Sequence, residues 1–268
     1  MRTANPTLKP FEQPQSWEQL DAAARAGGAA PVAGARSSTM TVSGAATATM
    51  ILVGITMASA VFGWSLVESR PQLLHPLWIT GGLASLAIGF ALRAAPRLSA
   101  YLSVVYAVLE GAFLGGLSFL FERFIAPGVV IQALLLTFGI LLALLLAYKV
   151  GLVRIGSTAK RCIYAATGGV MFLYLAVFVL HLLGVGNIPF IHELFALQKA
   201  GWIGIGFSVF VVVLASLNLV LDFQMIEEGA QAGLPRYMEW YAGFALLTTL
   251  VWLYIELLRL LAKLRSSD

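Results

Sequence analysis

From residue 46 onward the chain alternates between long apolar runs and short polar breaks, and the runs have the length of membrane crossings. A helix needs roughly 20 consecutive apolar residues to cross the hydrocarbon of a bilayer. Seven runs satisfy this and predict seven helices, near 46–67, 76–94, 98–121, 127–150, 162–185, 201–226 and 237–261. Pro71, Pro76, Pro127, Pro189 and Pro235 fall at the breaks, where a residue that cannot continue a helix belongs. Pro96 leaves only a very short link between the second and third runs, which predicts a tight hairpin. The first 45 residues carry no apolar period and are rich in Pro, Gly, Ala and polar residues. They read as a disordered tail ahead of a transmembrane domain over 46–268. The expected fold is all-α and polytopic.

Composition agrees with the pattern. Of 268 residues, 59% are hydrophobic and 11% charged, and the mean hydropathy is +0.87. A soluble domain carries about 25% charged residues, so a soluble fold is excluded. A pI near 9.3 would point to nucleic acid in a soluble protein. Here the basic residues flank apolar spans, so they set topology, and the expected partner is membrane lipid rather than nucleic acid. With the amino terminus inside, eleven Lys and Arg fall on the inner side, among them Arg93, Lys149, Lys160 and Arg236. Six fall outside, namely Arg70, Arg123, Lys199, Arg259, Lys263 and Arg265. This balance predicts a cytoplasmic amino terminus. Cys162 is the single cysteine and excludes an internal disulfide.

A few acids interrupt the apolar runs. Asp222 lies within 209–223, Glu110 within 101–121, and Glu239 and Glu256 bracket 240–255. A carboxylate at hydrocarbon depth costs a few kcal/mol on insertion scales, so such residues face protein or water and mark function. Acids with few intramembrane bases beside them read as a cation or proton pathway. Asn218 lies one turn before Asp222, and Ser208 and Ala215 continue that stripe, which suits a helix face turned into a bundle. Glu239 opens the seventh span at a depth expected to match that of Asp222, so the two would share a proton or a cation. Gly111 and Gly115 form a small-xxx-small face for close helix approach. Glu256 has Arg259 at i+3, which predicts a local ion pair.

Other chemistry is not supported. His75, His181 and His192 are far apart and lack HxxxH or HExxH spacing, and no phosphate-binding glycine loop is present. Gly206-Phe207-Ser208 has no histidine in the following span to act as base. Lys263 sits at the end of the last run rather than midway, which excludes a retinal linkage. No cofactor and no enzymatic activity are expected. Trp64, Trp78, Trp202, Tyr237 and Trp240 fall near span ends, as interfacial aromatics do.

The last hairpin carries a resemblance. Leu217-Asn218-Leu-Val-Leu-Asp222-Phe223-Gln-Met-Ile-Glu227, then Pro235-Arg-Tyr-Met-Glu239-Trp240-Tyr241, then Leu253-Tyr-Ile-Glu256-Leu-Leu-Arg259, resemble the bacterial branch of the Bax inhibitor family over about residues 40 to 268. The resemblance implies a bundle whose last helix is surrounded by the other six. It also implies a pH-sensitive leak for calcium or other cations, with Asp222 as the central carboxylate and transient calcium ligand. In the relatives a second aspartate partners the first. Here the matching position is Thr249, which cannot titrate, leaving Glu239 as the candidate substitute and Asn218 and Glu256 as supporting polar groups. The basic latch of those relatives falls at Arg93, at the inner end of the second span. Two other classes fit the same chain. One is a non-conducting regulator that binds a membrane protease or other membrane-protein partner, and the other is a proton-coupled transporter.

Overall fold

The computed structural model describes residues 39–183 and 201–266, and within them the chain is helical. The tail 1–38, the end of the fifth predicted span beyond 183, Pro189, His192 and Lys199 lie outside the described residues. Seven helices appear in the described part. We number them α1 (Val42–Ser69), α2 (Leu74–Ala94), α3 (Ser99–Leu120), α4 (Val129–Lys149), α5 (Ser157–Leu182), α6 (Trp202–Gln231) and α7 (Met238–Ser266). Each has 21 residues or more, and at about 1.5 Å per residue a 21-residue helix reaches about 31 Å, the thickness of the hydrocarbon. Six are long and apolar enough to cross a membrane, and α2 contributes a shorter apolar stretch over Gly81–Ala94. This is an integral membrane protein.

The predicted breaks hold at Pro71, Pro96, Pro127 and Pro235, whereas Pro76 falls in the first turn of α2, where a residue without a backbone N–H is tolerated, and Pro189 is outside the described residues. Pro71 and Pro96 each open a short 3-10 turn, the second forming the α2–α3 link. After α3 the chain makes a π-turn, Phe121–Ile125, whose Glu122 accepts hydrogen bonds from the backbone N–H groups of Gly128 (2.6 Å) and Val130 (3.3 Å). An acid from the end of one helix thus caps the start of the next, satisfying donors that hydrocarbon would leave bare. Four boundaries depart from expectation by four residues or more, among them the start of α5 at Ser157 rather than 162 and the end of α7 at Ser266 rather than 261. α1 begins at Val42, four residues before the predicted start, because Thr41 caps it. α6 continues to Gln231, past the predicted end at 226.

The closest helix contact joins α1 to α3. A Cβ built on Gly115 would lie 2.0 Å from the Ala60 carbonyl oxygen, one on Gly111 2.3 Å from that of Thr56, and one on Gly63 2.2 Å from that of Ala112. The two backbones therefore touch along about two turns, and the Ser59 hydroxyl donates to the Val108 carbonyl across the seam. The small-residue face at Gly111 and Gly115 is used as the sequence predicts. α7 packs against α1, α3, α4 and α6. Its Phe244 ring lies 3.9 Å from the Cβ position of Gly89 on α2, and Tyr174 of α5 bonds to its Glu256.

These contacts predict a sharp difference between two alanine substitutions. Gly115→Ala overpacks the α1–α3 seam and should cost about 1–3 kcal/mol, or several degrees in a detergent melt at roughly 2–4 °C per kcal/mol. Gly139→Ala on α4 meets nothing within 4 Å and should leave the melting midpoint unchanged or slightly raised. Equal midpoints for the two variants would refute the close seam.

Candidate functional site

Asp222 sits on α6 nine residues before the helix ends at Gln231, about 13 Å along its axis. The residue is half-buried, and its Oδ2 atom is sealed from solvent with no hydrogen-bond partner. Across the interface, Thr249 of α7 faces the carboxylate. The Thr249 hydroxyl also donates to the Ala245 carbonyl on its own helix at 3.2 Å. The position that the resemblance pairs with Asp222 is thus the one that meets it in space. One turn back, the Asn218 amide donates to the Thr167 hydroxyl on α5 (2.8 Å) and to the Leu214 carbonyl (2.9 Å). Ser208 and Ala215 are wholly buried, so the small and polar stripe does face the bundle.

Glu239 does not join this site. It is the second residue of α7, whereas the helix position facing Asp222 is Thr249, eleven residues after the start. The expected common depth fails because α6 runs five residues further than predicted, carrying the turn away from Asp222. Glu239 serves α1 instead. Its Oε1 accepts from the backbone N–H (3.0 Å) and hydroxyl (2.9 Å) of Thr41, while Thr41 Oγ1 accepts from Gly44 N–H (2.9 Å). A Cβ on Gly44 would stand 2.0 Å from that same Oε1, so the carboxylate fills the place a side chain would take. The arrangement suits the positive end of a helix dipole. Arg236 adds a contact at 3.7 Å, and the Met40 N–H donates to the Leu234 carbonyl (2.7 Å), tying the entry of α1 to the α6–α7 turn.

The other predicted residues are dispersed. Glu110 is buried on α3, with Ser85 of α2 facing it and Tyr106 beside it one turn earlier. Arg93 lies exposed in the last turn of α2. The ion pairs between described residues are Lys160–Glu228, Arg236–Glu239 and Arg259–Glu256, so the structure does not bring Arg93 to Asp222. Glu256 is buried and paired with Arg259 at 3.2 Å, the local ion pair that the i+3 spacing predicts. Among the described residues no three His, Cys, Asp or Glu side chains converge.

A family model described as Bax inhibitor 1 like matches residues 5–266, nearly the whole chain. The chain belongs to this family. Searches of curated proteins and of solved structures give no match. In this Bax inhibitor 1 like protein the sequence reading missed one polar network, at the opposite end of the α6–α7 seam from the turn. Lys263 is fully buried and donates to the Gly204 carbonyl (2.9 Å) and the Ser208 hydroxyl (3.0 Å) on α6. Tyr174 of α5 donates to Glu256, and its ring lies 5.5 Å from the Arg259 guanidinium carbon. The signal was present in the spacing, since Glu256, Arg259 and Lys263 recur at i, i+3 and i+7 on one face of α7.

The geometry separates the roles of two acids. Glu239→Ala removes two hydrogen bonds to a carboxylate, each worth about 1.5–3 kcal/mol, and should speed amide exchange in the first turn of α1. It should leave any proton-dependent activity of the protein where it was. A displaced pH profile in Glu239→Gln, with α1 exchange unchanged, would return this acid to the Asp222 site.

Proposed function

We propose that this protein is a pH-sensitive cation leak of the Bax inhibitor type, with calcium as the most fitting ion, and that it has no enzymatic role. One observation carries the reading: Asp222 holds a sealed, unpartnered carboxylate oxygen inside a membrane-spanning bundle. An intramembrane acid is costly to keep and marks an ion or proton path. Resident calcium takes six to eight oxygen ligands. Asp222 and Thr249 offer far fewer, which fits an ion in passage rather than one stored.

Arg93 supplies the gate in this proposal. In the structure the two residues are apart, with Arg93 at the open end of α2. Ionised Asp222 attracts the guanidinium toward the seam and closes that end. Protonated Asp222 has no charge to offer, and the end relaxes. The closing attraction is therefore lost as pH falls through the titration of Asp222, and flux rises on the acid side. Because Thr249 stands where relatives carry a second aspartate, the response follows one acid. Arg93, Lys149, Lys160 and Arg236 fall near helix ends on one side of the bundle, which supports a cytoplasmic amino terminus, and the bacterial inner membrane is read from the resemblance of the last hairpin.

Purified protein in vesicles loaded with a calcium dye tests this directly. Asp222→Asn should flatten the pH dependence of flux at the high level reached by wild type in acid. Arg93→Ala should raise flux at alkaline pH to a similar level. A wild-type pH profile in Asp222→Asn would remove the mechanism, and the absence of calcium flux at every pH would leave the non-conducting regulator as the better reading. A carboxyl-terminal reporter pair should report the outer side, since seven crossings separate it from an inner amino terminus.

A further inference from the structure

A groove of about 340 Å³ opens between α1 and α4, with α3 and α7 as its floor. Along α1 it runs from Val53 to Ser65, about 18 Å at 1.5 Å per residue. One leaflet of a bilayer has a hydrocarbon depth of about 15 Å, half of the roughly 30 Å core. The groove is thus one leaflet long. It sits in the leaflet where α1 ends and α4 begins.

Its walls present hydrocarbon only. The hydroxyls along it are turned into the helices: Thr56 donates to the Leu52 carbonyl (2.9 Å), Thr137 to that of Ala133 (2.7 Å), and Ser118 is shared between the Leu114 carbonyl (2.6 Å) and the Tyr254 hydroxyl (2.7 Å). Ser65 likewise donates to the Phe62 carbonyl (2.8 Å), so the hydroxyls along the groove are engaged within the bundle. The open side faces lipid, because Met57 and Val61 on the α1 lip are exposed. A helix with its side chains is about 10–12 Å across, so one from another subunit would lie mostly outside a groove of about 340 Å³ rather than within it.

The end of the groove has the chemistry of a headgroup level. Trp64 lines it there. The Arg265 guanidinium donates to the Pro127 carbonyl and stands 3.7 Å from the Cβ position of Gly128, two residues before groove-lining Val130. Exposed Arg123 lies on the preceding turn. Aromatic rings and cations at this depth are the usual anchors of the membrane interface.

We infer that the α1–α4 groove is a binding site for one acyl chain of an anionic phospholipid, with Arg265 at the level of the phosphate. The occupant is a lipid held by shape and by one guanidinium, distinct from the annular lipid that wets the rest of the surface.

A photoactivatable phosphatidylglycerol with a diazirine midway along one acyl chain tests this, in vesicles otherwise of phosphatidylcholine. Labelling should concentrate on peptides containing Met57–Val61 and Leu134–Phe138, several-fold above that of the equally exposed Phe210 region of α6. Excess unlabelled phosphatidylglycerol should suppress the groove signal and leave the α6 signal intact. Val61→Trp, placed on the open lip where it disturbs no packing, should reduce the groove signal several-fold with an unchanged melting midpoint. Arg265→Gln should abolish the advantage of phosphatidylglycerol over phosphatidylcholine as competitor. Uniform, non-competable labelling of all exposed faces overturns the site. Disulfide cross-linking of two Met57→Cys chains with loss of the lipid signal overturns it as well, in favour of an interface between copies.

Discussion

Hydrocarbon cannot satisfy a bare charge or a bare backbone donor, and this constraint decides where almost every polar residue of the bundle goes. The acids are spent on joining elements. Glu239 fastens the start of α7 to the start of α1 through Thr41, and Glu122 fastens the end of α3 to the start of α4 through Gly128 and Val130. Glu256 binds α7 to α5 through Tyr174, and the Lys263 ammonium binds α7 to α6 through Gly204 and Ser208. α7 takes part in three of these four junctions. The helix that carries the most charged residues is the one that most of these junctions share.

Asp222 departs from this rule, and its departure gives it meaning. It lies at the same α6–α7 seam as the Lys263 network, yet one carboxylate oxygen has no hydrogen bond. Ser85, Gln224 and Trp252 also bury a polar atom without a hydrogen bond, but Asp222 is the acid among them, and sites that break the polar-satisfaction rule are where function is stored at the expense of stability. Thr249 opposite carries no charge that could neutralise Asp222, and its hydroxyl donates to the Ala245 carbonyl of its own helix.

Much of this was legible in the residues. Period and length gave seven helices, the breaks at Pro71, Pro96, Pro127 and Pro235 held while Pro76 entered the first turn of α2, and the glycine spacing at Gly111 and Gly115 located the α1–α3 seam, because all three are local properties of the chain. The Glu256–Arg259 pair was legible for the same reason, being one helical turn apart. The role of Glu239 was not, since its partner Thr41 is distant in sequence and only the fold brings the two together. The depth of Asp222 relative to the turn was misread because nothing apolar marks the last helical turns of α6, where Glu227, Glu228 and Gln231 are held by bonds to Tyr148 and Lys160 and to one another. Lys263 looked like a tail cation, and its burial depends on the Gly204 carbonyl and the Ser208 hydroxyl of α6, which no sequence pattern announces.

The contact between Glu239 and Gly44 makes two remote positions a single choice. The carboxylate occupies the volume that any side chain at 44 would need, so a larger residue there requires a shorter one at 239, and a shorter residue at 239 opens a hole at the head of α1. Neither site can drift alone. Descendants of this sequence, natural or designed, should therefore inherit the two together or replace them together, and a hybrid that takes its first helix from one parent and its last from another will fail at this junction before it fails anywhere else.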